Sequence, residues 1–195
     1  MKIIITGITG LIGNHVMQVL LQNNYNDIRG TYFSNRNLEE YKQQGIEMRY
    51  ADISNENSIK NITKDCAIVV HSAARVMDFG TKQQFYAAHY DATHYLLKDA
   101  KKNGVQHFIY VSSVGAASSI DRNKIIPDET VPVKKTGIHY DDVKIDIDKI
   151  EVEQFIYTSR PDSSGKHTDT VLPVKELQII KKDCAGDSLI SVVLK

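Results

Sequence analysis

The chain has 195 residues, enough for one domain with a substantial core, or one domain and a fragment of another. Hydrophobic residues make up 42% and charged residues 25%, as expected for a soluble globular protein. Lys plus Arg and Asp plus Glu both total 24, so no global field recruits nucleic acid or an anionic membrane.

Cys66 and Cys184 have no spacing that suggests a disulfide framework or a metal site, and reduced thiols are expected. No apolar run reaches the roughly 18 residues of a membrane span. The run after Lys2 is too brief for a signal peptide, so a cytoplasmic location is the default expectation.

In chain order, KIIIT (Lys2 to Thr6) reads as a buried strand. LIGNHVMQVLLQNN follows with Ile12, Val16, Val19 and Leu20 at helical spacing and an Asn-rich stop. DIRGTYF predicts a second strand despite Gly30, NLEEYKQQG a helix stopped by Gly45, and IEMRYADI a third strand. SNENSIKNITKD predicts a short polar helix capped by Ser54, AIVVHSAA a fourth strand, QFYAAHYDATHYLLKDAKKNG a long helix, and VQHFIYVSS a fifth strand. Strands alternating with helices at this spacing mean βαβ units: an α/β fold with a doubly wound, Rossmann-like parallel sheet and helices on both faces.

After Ser113 the pattern loosens. GAASSIDRNKIIPDETVPVKKTG reads as a loop, YDDVKIDIDKIEVEQFIY as a helix and SRPDSSGKHTD as turns. VKELQIIKKDCAG reads as another helix and SLISVVLK as a sixth strand. Residues 1–150 therefore form the expected nucleotide-binding domain, and 151–195 a divergent extension that completes the sheet.

The glycines of ITGITGLIG sit where the first strand turns into the first helix. Such a turn offers free backbone N–H groups and a positive dipole end to a pyrophosphate. Gly7 permits the tight turn, Gly10 leaves room for phosphates, and Gly13 lets helix and strand approach, with Leu11 and Ile12 beside the ligand.

TGITGLIG is T-G-x-x-G-x-x-G, and it resembles the extended branch of the short-chain dehydrogenase/reductase superfamily, also called the NAD-dependent epimerase/dehydratase family. YADI, with Asp52 and Ile53, resembles the family's adenine-contacting step. VVHSAARVMDFG resembles its strand-four signature, with Ala73, Ala74 and Arg75 near the cofactor. FIYVSSVGA resembles its V-S-S segment, and Tyr140 with Lys144 forms Y-x-x-x-K. The likeness is greatest to the 3β-hydroxysteroid dehydrogenase and dihydroflavonol reductase side of the branch.

The resemblance implies an enzyme: an NAD(P)-dependent oxidoreductase, or an epimerase or dehydratase, acting on a hydroxyl or carbonyl of a small molecule. Ser113 (Ser112 as fallback), Tyr140 and Lys144 are its implied catalytic residues. Tyr140 and Lys144 share one helix face. An ammonium beside the phenol, and a positive nicotinamide, would favour the phenolate and let Tyr140 move a proton while hydride moves. Lys144 would also hold the nicotinamide ribose. The second strand ends without an acid for ribose hydroxyls. It offers Ser34 and Arg36, which suit a 2′-phosphate, so NADP is expected, with NAD the alternative. A homodimer is compatible with the family.

Three departures stand out. HYDAT replaces the family's N-V-x-G-T, with His89 for Asn and Ala92 for Gly. The chain stops at SVVLK, so the substrate part is expected to be truncated or absent. Residues 153–177 look like an insertion or a replacement. They motivate a second reading, a non-catalytic dinucleotide-binding or redox-sensing module. The seven histidines make no ligand cluster at known spacing, and His71 is expected to be structural.

Overall fold

A computed structural model of the chain describes residues 1–34, 37–77, 79–113 and 134–147, with the backbone of segments 160–161, 167–168, 180–181 and 188–192. The first strand, β1 (Lys2–Thr6), is followed by α1 (Leu11–Gln22), β2 (Ile28–Tyr32), α2 (Leu38–Gln43) and β3 (Glu47–Tyr50). Then come β4 (Cys66–His71), α3 (Lys82–Tyr86), α4 (Ala92–Lys102), β5 (His107–Tyr110) and α5 (His139–Ile147). Four short strands complete the set: β6 (Arg160–Pro161), β7 (His167–Thr168), β8 (Ile180–Lys181) and β9 (Ser188–Val192).

Among the described residues the main sheet runs β3-β2-β1-β4-β5-β9-β8. The chain leaves β1 toward β2 and β3, then crosses back to β4 and β5 on the other side. The crevice at that reversal, outside the carboxyl ends of β1 and β4, is where such sheets take ligands. The β-branched run of β1 pairs on both edges, Ile4 facing Arg29 of β2 and Val69 of β4. Its alternation divides the core. Ile3 and Ile5 pack with Met17 and Tyr41 on the α1–α2 face, while Ile4 packs with Leu96, Phe108 and Val143 on the α4–α5 face. Each fully buried isoleucine of this strand contributes roughly 2 kcal/mol of transfer free energy. Gly30 belongs in β2 because a Cβ there would lie 2.7 Å from the Ile8 side chain.

Several expectations are corrected. The sheet is parallel only through β5: β9 runs antiparallel to β5, and β8 antiparallel to β9. Ile180 and Lys181, expected in a helix, form β8. The stretch after Asp52 is a single 3-10 turn, Glu56–Ser58, capped by the Asn55 side chain rather than by Ser54. In α1 the fully buried positions are Gly13 and Met17, while Ile12 and Val19 stay exposed. The long helix begins at a Thr81–Gln84 capping box and carries a π-helical turn, Ala87–Asp91, before α4. The C-terminal half of the helix expected from Tyr140 onward lies outside the described residues, as do Cys184 and most of the 114–136 loop.

Candidate active site

The glycine turn is built by close contact. Gly7 has φ +69°, and a Cβ on it would sit 2.8 Å from the Ala73 Cα, so only glycine fits between β1 and the segment after β4. At Gly13 a Cβ would press on the Gly7 carbonyl and come within 2.8 Å of the Ile8 Cα. Gly10 is the N-cap of α1 in extended conformation; its N–H donates to the Gly7 carbonyl at 2.9 Å. No side chain caps this helix and no acid sits in its first turn. Leu11 is 89% exposed and Ile12 39% exposed at the same end, so the first turn's backbone faces the crevice unshielded by core packing.

Behind this turn runs a buried network absent from the sequence analysis except for His71. The Thr6 hydroxyl meets His71 Nδ1 at 2.6 Å and accepts from the Ala73 N–H at 3.3 Å. His71 Nε2 meets the Thr93 hydroxyl at 3.2 Å. Ser72 donates to the Thr6 carbonyl at 2.8 Å, and the Gly7 N–H donates to the Thr31 hydroxyl at 3.3 Å. Burial, then the charge of Lys144, pushes His71 down to about 3. The neutral ring has one N–H and one lone pair, matching a hydroxyl on each side. The network fixes Ala73, Ala74 and Arg75 against β1; each of the three is half-buried.

At the ends of β2 and β3, Ser34 is exposed and Arg36 lies outside the described residues. Phe33, 67% exposed, stacks on Tyr50 with centroids 6.2 Å apart. Asp52 is less free than expected. Its Oδ1 accepts from the Ser54 N–H at 3.0 Å and hydroxyl at 2.6 Å, and its own N–H donates to Ser58. Ile53 packs on the core edge beside it.

Ser113, Tyr140 and Lys144 converge where β5 ends beside α5. The Ser113 hydroxyl lies close enough to the Tyr140 phenol to favour its charged form. Lys144 Nζ lies 5.8 Å from the Tyr140 ring centroid but donates to the Tyr110 phenol at 2.6 Å and the Val111 carbonyl at 3.1 Å. Burial pushes the Tyr140 phenol above its ordinary value; Ser113 offsets this in part and Asp141 adds to it. Ser112, the fallback, is buried at 9% exposure.

His89 sits at the centre of this end of the site, in the π-helical turn. Its ring meets Tyr140 edge-on, centroids 5.5 Å apart and planes at 87°, and stacks on Phe85 at 6.2 Å. Its Nε2 lies 3.2 Å from both the Arg75 N–H and the Arg75 carbonyl. Burial first, then the charge of Lys144, lowers its pKa to about 4. A neutral His89 thus ties the segment after β4 to the Tyr140 helix. The described residues hold no cluster of three or more His, Cys, Asp or Glu able to ligate a metal. No helix among them is long and apolar enough to cross a membrane.

Residues 4–156 match the 3-beta hydroxysteroid dehydrogenase/isomerase family. Sterol demethylase protein B of Methylococcus capsulatus is 23% identical over 145 residues, which cover 74% of this chain and 44% of that protein. A mutated uronate dehydrogenase superposes with TM-score 0.67 at 19% identity, covering 77% of this chain and 52% of the other. The yeast methylglyoxal/isovaleraldehyde reductase Gre2, complexed with NADPH, gives 0.60 at 20%, covering 74% and 49%. The chain thus spans about half the length of these proteins. With the family pattern covering most of the sequence, and the glycine turn, strand order and Tyr–Lys helix all in place, this chain belongs to the 3-beta hydroxysteroid dehydrogenase/isomerase family.

Proposed function

We propose that this chain forms the nucleotide-binding and proton-transferring part of an NAD(P)-dependent oxidoreductase or epimerase acting on a hydroxyl or carbonyl of a small molecule. The observation that carries the reading is the convergence of Ser113, Tyr140 and Lys144, the last two one helical turn apart, at the end of β5, with the glycine turn at the carboxyl end of β1 in the same sheet. The fit to a dinucleotide rests on the cradle at Gly7 and Gly13, where any Cβ collides with backbone, and on the uncapped first turn of α1.

When bound, the nicotinamide supplies the hydride donor or acceptor. The backbone from Gly10 to Gly13 binds the pyrophosphate. Ser113 orients the substrate oxygen beside the phenol. Tyr140, whose phenol burial pushes above its ordinary value, donates its proton to a carbonyl oxygen as that oxygen gains charge, and takes it back in the reverse direction. Lys144, anchored by Tyr110 and Val111, would hold a ribose hydroxyl of the cofactor. At the adenosine end, Ser34 supports a 2′-phosphate and the Phe33–Tyr50 pair offers a stacking face for the purine. NADP remains the preferred cofactor in this reading, on Ser34 and Arg36.

Titrating the chain with NADPH and NADH by nucleotide fluorescence tests the binding half. Turnover in Tyr140→Phe tests the chemistry: cofactor affinity should hold within about twofold while turnover falls by on the order of a hundredfold or more. Unaltered turnover would remove Tyr140 from the reaction. Binding of either nucleotide with no turnover on any hydroxyl or carbonyl compound would favour the non-catalytic module instead.

A further inference from the structure

The guanidinium of Arg75 is the charged group that this scheme leaves unused. Its backbone is held by His89 Nε2, and its Cζ stands 6.0 Å from the centroid of the Phe85 ring. Its Nε is buried and, among the described residues, has no hydrogen-bond partner. Among the described residues no carboxylate forms an ion pair with it. A Cβ on Gly80 would lie 3.5 Å from that Nε, so the side chain is flanked by Gly80 on one side and the Phe85 ring on another.

Arginine stays charged at every working pH, so burial cannot be relieved by losing the proton. A buried N–H without an acceptor is costly. A bound ligand can supply the missing acceptor. The edge formed by Nε–H and one terminal N–H is a planar fork that fits two oxygens of a carboxylate or phosphate. The position also fits a substrate. Phe85, which carries the guanidinium, stacks on His89, and His89 meets the Tyr140 ring edge-on.

We infer that Arg75 binds an anionic group, carboxylate or phosphate, of the molecule whose hydroxyl or carbonyl meets Tyr140. The inference rests on the proposed Tyr140 chemistry and narrows its substrates to anionic ones.

The test uses the 15N-labelled chain and the side-chain Nε–H resonances of its arginines, that of Arg75 assigned by its loss in Arg75→Gln. Sodium acetate and sodium phosphate are added separately at constant ionic strength, with chloride as the control and the surface residue Arg49 as the internal reference. The expected result is a saturable shift of the Arg75 signal with one or both anions, while Arg49 follows the chloride control. Acetate alone would identify a carboxylate site, and phosphate alone a phosphoryl site. In Arg75→Gln, anion binding should weaken by about tenfold or more.

A linear drift of Arg75 that matches Arg49 would overturn the proposal. So would loss of the anion response on saturation with NADPH together with weakened NADPH binding in Arg75→Gln, since Arg75 would then hold a cofactor phosphate. A wild-type chain that binds no NADPH would defeat the nucleotide reading, yet the anion titration would still decide the fate of Arg75.

Discussion

Lys144 reaches back from α5 to the end of β5 and donates to the Tyr110 phenol at 2.6 Å. Lys144 is 1% exposed and Tyr110 3% exposed, and the ammonium also lies 4.5 Å from the centroid of the Tyr110 ring. The strand therefore fixes the ammonium, with the helix partner Tyr140 further away. Tyr110→Phe keeps the ring and removes the acceptor. It should lower stability by roughly 1 to 2 kcal/mol, read as a shift of the urea midpoint with unchanged slope. It should also weaken nucleotide binding, because the ammonium loses its anchor. An unshifted midpoint would mean that the Tyr110 phenol is not what holds Lys144.

His71 and His89 are both buried and neutral, with pKa values lowered to about 3 and about 4 from 6.5. The unfolded chain binds more protons than the folded one between those values and 6.5. Stability is then full above pH 6.5 and falls as pH drops through that window. By pH 4 each histidine should have cost on the order of a few kcal/mol. Glu47 adds a later loss. Burial alone would raise its pKa, but hydrogen bonds from Lys2, Arg29 and Arg49 hold it at about 2, so its contribution fades only below pH 4.5. Urea midpoints at pH 7.5, 6, 5 and 4 should decline from just below 6.5, and His71→Gln should flatten the curve. A stability flat down to pH 5 would contradict the burial of both rings.

Gly13→Ala separates the structural role of the turn from its ligand role. Its Cβ meets backbone of Gly7 and Ile8, which cannot swing aside. The substitution should cost roughly 1 to 3 kcal/mol through overpacking. Gly10→Ala places a Cβ 3.2 Å from the Gly7 carbonyl, a milder crowding. It should leave thermal stability nearly intact while weakening NADPH and NADH binding. Equal thermal shifts for the two variants would contradict this division.

The strands were legible because β-branched runs end at turn residues: KIIIT gives β1 at its exact bounds, Lys2–Thr6. The glycine turn and the Y-x-x-x-K helix were legible for the same local reason, since spacing along one element carries them. What escaped was set by contacts across the chain. The buried face of α1 passes through Gly13 and Met17 because Gly13 must approach Gly7, a demand that apolar spacing does not encode. The π-helical turn that aims His89 has no composition of its own, although the Thr81–Gln84 capping box was there to read. The ammonium of Lys144 was expected at Tyr140; its bond to Tyr110 spans 34 positions and appears only when β5 and α5 pack. The same holds for the antiparallel β9, whose direction depends on the connection that precedes it.

Asp99 is the clearest residue of this missed kind, reading as an ordinary polar position on α4. It is 8% exposed, and its Oδ1 accepts from the Asn61 N–H at 2.7 Å. Its Oδ2 accepts from the Thr63 N–H at 3.0 Å, the Thr63 hydroxyl at 2.7 Å and the Asn103 amide at 3.2 Å. One carboxylate thus closes the turn before β4 onto the helix that backs the sheet. Asp99→Ala would leave two backbone N–H groups, one of them on the fully buried Thr63, without acceptors. It should destabilise by roughly 2 to 4 kcal/mol. Asp99→Asn keeps an acceptor but turns a donor toward N–H groups already donating, so it should recover less than half of that loss. Neither variant touches the glycine turn, and nucleotide affinity measured well below the unfolding midpoint should stay at the wild-type value. A loss of affinity without a loss of stability would show that this turn communicates with the crevice; a change in stability below about 0.5 kcal/mol for the alanine variant would show that water replaces the carboxylate at no cost.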